Sequence, residues 1–535
     1  MRRRTFLGLA GGLGAAAVGG LSSCGRPPSE LDLGPAAKQP AYRPLTNLPE
    51  PTIAGTKDGV LPNTYERYPE KPVTSVQGVP GDGKPVSILT ETFAAIVPAV
   101  GNNSVWSSLN AKLGSELKIQ LVPSSDFGVK FATVVAGDSL PDMFFVAPDF
   151  PRTPELMAAR ALDLSDHLAG DAILDYPNLA NISTDCWDVG RFNGRIYGLP
   201  SPRGALQSGI LYRRDDLLKK KGISGEFTSF VDFSDQCHDL TDAKAGVWAL
   251  TGVPMQFLRN MLNVPNFWHF DGSTMQSWWT APEQEQALEA GRKLLAAGVV
   301  NPDAFANPNT KTWFGTGKAY FNADAVAAWP QYYASNAKVE GFDIGGCAIP
   351  GFDGGEAGRL WLSFPSFGFS AVSKAAAGRV QTLLKIADYL AAPFGSAEYL
   401  TVKYGVEGPD YAITDGNPVP TPTGGAASQL GVKYIVDAPQ VNFIPGRPAA
   451  ARKVDRLLRR LVPRALVNDA VYLYSKTAAD RFARAQTRFQ SLENDIVQGR
   501  KPVSDWRPEA DSWWSRYGQQ MSRELTEAYH AAGRG

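Results

Sequence analysis

The chain has 535 residues, too many for one ordinary core, so two lobes are expected. Its 53 basic and 53 acidic residues balance, which removes any electrostatic case for nucleic acid. Past the N-terminal run, no apolar stretch approaches the ~20 residues that span a bilayer, so nothing further along is expected to cross one.

Arg2-Arg3-Arg4-Thr5-Phe6-Leu7 leads into an apolar run from Leu9 to Leu21, which closes at Leu21-Ser22-Ser23-Cys24. A basic start and a short apolar core make an export signal. The paired arginines before Thr-Phe-Leu resemble a twin-arginine signal, which a receptor reads. The closing Leu-Ser-Ser-Cys resembles a bacterial lipobox, which implies a lipid on Cys24 and anchorage to the outer face of the cell membrane. Loss of Arg2, Arg3 and Arg4 with the signal leaves 50 basic against 53 acidic residues, a net charge of about −3.

Residues 25–84 are rich in proline, with Pro27, Pro28, Pro35, Pro40, Pro44, Pro49, Pro51, Pro62, Pro69, Pro72 and Pro80. Proline removes backbone donors and stiffens the chain, so the segment reads as an extended spacer. As a flexible coil it would span about 45 Å and hold the body clear of the bilayer. Beyond Tyr65 it could equally wrap the body.

Order begins at Val86-Ser87-Ile88-Leu89-Thr90, a run of strand formers. Asn103-Ser104 is placed to cap a helix through Leu113, with Gly114 as its stop. A strand over 117–122, a helix over 126–136 and a strand over 142–146 complete a β-α-β-α-β pattern, which argues a parallel sheet. No Gly-x-Gly-x-x-Gly follows the first strand, so a dinucleotide site is not expected. Thr280-Ala-Pro-Glu283 reads as a capping box. The helix behind it sets Ala287, Leu288, Gly291, Leu294 and Leu295 on one face and ends at Gly298. Two C-terminal stripes, one of Val454, Leu457, Leu458 and Leu461 and one of Phe482, Phe489, Leu492 and Ile496, are expected in the core.

With Cys24 assigned to lipid, Cys186, Cys237 and Cys347 remain, an odd set that allows one disulfide or none. His167, His238, His269 and His530 lack ligand spacing, so no metal is expected, and no cofactor pattern occurs.

Several segments, in order, resemble one family. They are Asn102-Asn-Ser-Val-Trp106, Ser139-Leu-Pro-Asp142, Asn193-Gly-Arg-Ile-Tyr-Gly-Leu-Pro200, Tyr212-Arg-Arg-Asp-Asp-Leu-Leu218 and Pro265-Asn-Phe-Trp268. Phe314-Gly-Thr-Gly-Lys318, Tyr404-Gly-Val-Glu-Gly-Pro-Asp-Tyr411 and Ile496-Val-Gln-Gly-Arg-Lys-Pro-Val-Ser-Asp-Trp506 follow. Together they resemble the extracellular solute-binding proteins of family 1, the carbohydrate-binding lipoproteins of ABC importers, and within them the Lpl-type and alginate-oligosaccharide-binding subgroup. Members of the subgroup often carry a calcium loop. The comparable stretch, Asp239 to Trp248, lacks the alternating oxygens that calcium needs.

The resemblance implies a two-lobe α/β periplasmic-binding-protein-like fold with hinge crossings and a helical C-terminal region. The expected divisions are a signal over 1–24, a tether over 25–84, lobe 1 over 85–202 and lobe 2 over 203–365. Residues 366–535 would return to lobe 1 and add C-terminal helices. The implied function is non-enzymatic capture of a carbohydrate, an oligosaccharide by size and aromatic content, and its delivery to an ABC permease by a monomer. Stacking aromatics and polar groups beside the motifs are the expected contacts: Asn103, Trp106, Arg203, Trp268, Trp329, Trp361, Tyr404 and Glu407. Arg203 could instead pin the hinge to an acidic neighbour. The competing reading is an exported glycoside hydrolase, which needs two carboxylates opposed across the cleft.

Overall fold

The computed structural model describes residues 36–147, 150–306 and 309–534. The expected export signal and Cys24 lipobox lie outside the described residues. No helix among the described residues is long and apolar enough to cross a membrane.

Nine strands build two sheets. In chain order they are β1 (Val86–Thr92), β2 (Leu117–Pro123), β3 (Met143–Val146), β4 (Gly198–Pro202), β5 (Gly209–Arg213), β6 (Trp248–Leu250), β7 (Ala319–Ala325), β8 (Gly345–Gly346) and β9 (Ser366–Val372). The first sheet has the order β2-β1-β3-β9-β4. β1 runs parallel to β2 and β3, whereas β9 is antiparallel to β3 and β4. The second sheet has the order β8-β5-β7-β6, with β5 antiparallel to both of its neighbours.

The expected β-α-β-α-β start is present. Helix α1 (Ser104–Leu113) connects β1 to β2, and α2 (Ser124–Ala136) connects β2 to β3. Asn103 caps α1 by accepting from the Trp106 N–H at 3.0 Å. Gly114 ends it in the left-handed region at φ 64, where a Cβ would be strained. The capping box at Thr280 does not form. Its hydroxyl donates to the Ser277 carbonyl at 2.8 Å, because a 3-10 turn over Trp278–Thr280 precedes the helix Glu283–Ala296.

Each sheet has its own core. One gathers Leu89, Phe131, Phe144, Trp187, Phe369 and Leu384, and the other Tyr212, Phe233, Phe257, Phe321, Trp329 and Leu458. A third cluster joins Trp268, Met275 and Trp279 to Phe489, Ile496, Trp506 and Trp513. Trp279 stacks on Phe489 at 4.3 Å and meets Trp513 edge-on at 4.8 Å. Both C-terminal stripes are therefore core, on helices α4 (Pro448–Leu461) and α5 (Lys476–Val497), with α3 (Trp329–Ser335) ahead of them in the second lobe.

Two expected divisions differ. Residues 366–436 complete the first lobe, but α4 enters the second core and α5 packs through the third cluster onto 268–288. The chain thus passes between lobes at 202–205, 362–365 and 437–441. The proline-rich segment is not a free spacer from residue 36 onward. Ala37 N–H donates to the Gly194 carbonyl at 2.7 Å, and Ala41 N–H to Gly170 at 3.0 Å. Arg43 N–H reaches Ala180 at 2.8 Å, and Val73 N–H reaches Gly395 at 3.0 Å. These donors are the non-proline N–H groups of the segment, and Tyr65 and Tyr68 bury their rings against Phe394 and Phe443.

Cys186, Cys237 and Cys347 are buried free thiols. Burial pushes the Cys186 thiol up to about 12.

Candidate functional site: the interlobe cleft

β1, β2 and β3 are mutually parallel, and β9 leaves the hinge antiparallel to β3, so the three C-terminal ends lie at the hinge edge of the first sheet. In the second sheet β5 starts from the hinge, and antiparallel β7 ends there together with its parallel neighbour β6. Open α/β sheets place ligands beyond such strand ends.

On the first lobe this edge is aromatic. Phe93, directly after β1, is 65% exposed. Its ring lies 6.0 Å from Phe367 and 5.9 Å from Tyr434, which are 5.4 Å from each other. Thr90 fixes this corner by donating to the Gly431 carbonyl at 3.0 Å, just before Lys433 and Tyr434.

Positive charge backs the aromatic ledge. Arg203 Nη1 donates to Asp437 Oδ2 at 2.8 Å and to the Pro202 carbonyl at 2.7 Å. Its guanidinium lies 5.7 Å from the Tyr434 ring centre and 5.9 Å from that of Phe367. Lys403 pairs with the other oxygen of Asp437. Burial alone would raise the Asp437 carboxyl, but Lys403 and Arg203 outweigh it and hold it below the usual carboxylate range. The Lys433 ammonium sits 5.2 Å from the Tyr434 ring centre. Burial, then Arg203 and Lys403, push it down to about 8.

The second lobe offers a polar edge. Thr251 Oγ1 donates to Asn322 Oδ1 at 2.6 Å, and Asn322 Nδ2 donates to the Tyr332 hydroxyl at 2.6 Å. That hydroxyl donates to Asp324 Oδ2 at 2.8 Å, and Lys311 Nζ lies 3.3 Å from the same oxygen. Next to it a cavity of about 380 Å³ is lined by Gln207, Gln256, Asn260, Asp324 and Phe257. Asn260 Oδ1 is buried and meets no hydrogen-bond donor among the described residues. Amides, a carboxylate and an aromatic ledge form the mixed surface that a hydroxyl-rich ring requires.

The structure scatters the eight expected contacts. Asn103 is spent on its cap and on donating to the Ala427 carbonyl at 3.1 Å. Trp106 donates from Nε1 to the Leu117 carbonyl at 3.0 Å. Trp268 is buried against Trp513 and Trp514 in the third cluster. Trp329 is 1% exposed, at the start of α3 beside Tyr212. Trp361 donates to the Val264 carbonyl at 2.7 Å and meets Trp278 edge-on at 5.5 Å. Tyr404 packs between Tyr399 and Tyr411, and burial raises its hydroxyl. Glu407 is exposed on the turn before Tyr411. Arg203 alone stays beside the cleft, in the hinge-pinning role.

Phe93, Phe367, Tyr434, Lys433, Gln256 and Asn260 were not expected. For Phe93 a signal existed, since it lies just past the strand formers Val86-Ser87-Ile88-Leu89-Thr90. The others come from distant segments that only the fold assembles.

A model of the bacterial extracellular solute-binding proteins matches residues 87–393, more than half of the chain. The chain belongs to this family. Among curated proteins, this solute-binding protein is 22% identical over 330 residues to lipoprotein LipO of Bacillus subtilis (strain 168). The alignment spans 58% of this chain and 64% of LipO, a little under two thirds of that relative. Among solved structures, the alginate-binding protein AlgQ2 superposes with a TM-score of 0.64 at 16% identity, covering 86% of this chain and 100% of AlgQ2. The N-glycan transport solute-binding protein NgtS of Streptococcus pneumoniae, in complex with Man1GlcNAc, gives 0.60 at 15% identity, covering 83% and 98%. A solute-binding protein of Bifidobacterium longum infantis that binds HMO gives 0.58 at 15% identity, covering 85% and 100%. These likenesses establish the two-lobe solute-binding fold.

Proposed function

We propose that this protein captures a carbohydrate, an oligosaccharide in particular, between its lobes and delivers it to an ABC importer. The carrying observation is the exposed Phe93 ledge beside Phe367 and Tyr434, which shares its hinge with the Asn260 and Asp324 edge of the second lobe. A sugar face would stack on the rings while its hydroxyls meet amides and the carboxylate. AlgQ2 is an alginate-binding protein and NgtS was solved in complex with Man1GlcNAc, and these likenesses support an oligosaccharide. Arg203, Lys403 and Lys433 around the single carboxylate of Asp437 favour a sugar that carries acidic groups.

Binding is favoured over hydrolysis. Asp410 is buried and accepts from the Val406 N–H at 2.9 Å, while Glu407 is exposed on the same turn. A hydrolase would need two carboxylates facing one bond. A lipid on Cys24 would hold the protein at the outer face of the membrane as a monomer. Only residues 25–35 separate that cysteine from the docked segment, so the linker reaches at most about 40 Å. Isothermal titration with neutral and uronic oligosaccharides tests the reading. Saturable binding with the sugar recovered intact is expected, and cleaved sugar would return the case to a hydrolase.

A further inference from the structure

In the order β2-β1-β3-β9-β4, the crossings at 202–205 and 362–365 leave from the β9–β4 flank. The cleft lies toward β3 and β1. Residues 36–45 pack on the opposite side, against 170, 180–181, 188 and 194 beyond β4, and hence behind the hinge.

From there the strap changes lobes. The Ala54 carbonyl accepts from Arg459 Nη2 at 2.5 Å, and Leu61 is buried in the second core. Thr64 and Tyr65 pair in parallel with Asn442 and Phe443, Asn442 Nδ2 donates to Thr64 Oγ1 at 2.9 Å, and Glu66 pairs with Arg452 at 2.5 Å. The Tyr65 ring already stacks on Phe394 of the first lobe at 4.3 Å, and two residues after Glu66 the strap is wholly back on that lobe. Tyr68 N–H donates to Asn417 Oδ1 at 3.0 Å, and its hydroxyl donates to the Ser396 carbonyl at 2.7 Å. Ser75 then donates to Glu398 from both N–H and hydroxyl, at 3.1 and 3.0 Å.

The two returns are unequal. The outward link from Leu45 to Ala54 is nine residues long and borders a cavity of about 620 Å³ shared with the crossings, where Pro49, Tyr65, Arg203, Phe364 and Phe394 are among the lining residues. The return link from Glu66 to Tyr68 is two residues, and a chain extends by at most about 3.6 Å per residue. Rotation that closes a cleft separates the points behind its hinge. With the buried anchors Thr64 on the second lobe and Tyr68 on the first only four residues apart, the link cannot follow a wide separation.

We propose that the link Glu66-Arg67-Tyr68 is a leash behind the hinge that limits how far the cleft closes. It adds a conformational stop to the three crossings, outside the matched family region, which begins at residue 87. The strap is then part of the binding machinery without touching the ligand, because closure and affinity are linked through the open–closed balance.

The test lengthens the leash and leaves its anchors intact. Gly-Gly-Ser is inserted after Arg67, which is exposed, in the full-length chain carrying Cys24→Ser. A control receives the same insertion after Gly59, in the turn whose flanks at Ala54 and Leu61 are both held by the second lobe. Spin labels go on Ser125→Cys and Gln331→Cys, exposed positions at the strand-end edges of the two lobes. The native thiols Cys186, Cys237 and Cys347 are buried and should not label. The insertion after Arg67 is expected to add shorter interlobe distances, and the control to match the parent. Identical distributions in all three proteins, or the same change in both insertions, would overturn the leash.

Discussion

Arg203 and Asp437 form a buried pair, at 2.8 Å, between the first crossing and the last. Arg203 is 9% exposed and the Asp437 side chain 3%, so neither charge is solvated. Because Lys403 shares the carboxylate, the two partners are not equivalent. Asp437→Ala leaves Arg203, Lys403 and Lys433 facing one another, whereas Arg203→Ala leaves Asp437 with Lys403. Breaking a buried pair costs roughly 3–5 kcal/mol when a charge is stranded. The Asp437 variant should therefore lose more in melting temperature than the Arg203 variant. Equal losses in thermal unfolding would contradict this asymmetry.

Phe93 and Trp329 separate the cleft from the core. Phe93→Ala should change stability by less than about 0.5 kcal/mol, as surface substitutions do. It should weaken sugar binding by roughly 1 kcal/mol, about fivefold, through the lost stacking face. Trp329→Ala should cost about 3–5 kcal/mol of stability, with no selective effect on the ligand in protein that remains folded. Titration and thermal unfolding of both variants check the contrast.

Lys433 lies half-buried among cations. Its folded value of about 8 is below the ordinary lysine value of 10.5, so the charged form is penalised at neutral pH and the penalty is relieved as pH rises from about 8 to 10.5. Lys433→Met should raise the melting temperature at pH 7. It should also weaken binding of a uronic oligosaccharide while sparing a neutral one. In the parent protein, uronic binding should decline as pH passes about 8.

Asp388 is a second titration point, remote from the cleft. Its Oδ1 accepts from the Asn178 and Leu179 N–H groups at 2.8 and 3.0 Å, yet burial raises its carboxyl to about 7. The folded state then holds a proton that the unfolded chain has released. That contribution is full below the unfolded value of 3.8 and is lost as pH rises to about 7. Asp388→Asn should flatten stability over this window, as read by melting temperatures at pH 5 and pH 8.

Local signals carried the first lobe well. The strand formers at Val86-Ser87-Ile88, the Asn103 cap and the Gly114 stop act within a few residues, so spacing alone reveals them. The cleft was less legible. Trp268, Trp329 and Trp361 stood beside family motifs, but a tryptophan at an element junction fills a core as readily as a cleft, and spacing does not report burial. Lys403 and Arg203 are 200 positions apart, and nothing local announces that they share the Asp437 carboxylate. The proline-rich segment misled for a different reason. Proline sets backbone stiffness, and a stiff chain can lie along a hinge as well as stand away from it.

The most direct measurement is a thermal-shift screen of the protein lacking residues 1–24 against neutral and uronic oligosaccharides, with product analysis of the same samples. At 100 times its dissociation constant, a true ligand adds about 2.7 kcal/mol of stability. A raised melting point with the sugar intact, and a smaller rise in Phe93→Ala, is the expected result. No shift with any sugar, or a shift that Phe93→Ala leaves untouched, would contradict carbohydrate capture at this cleft.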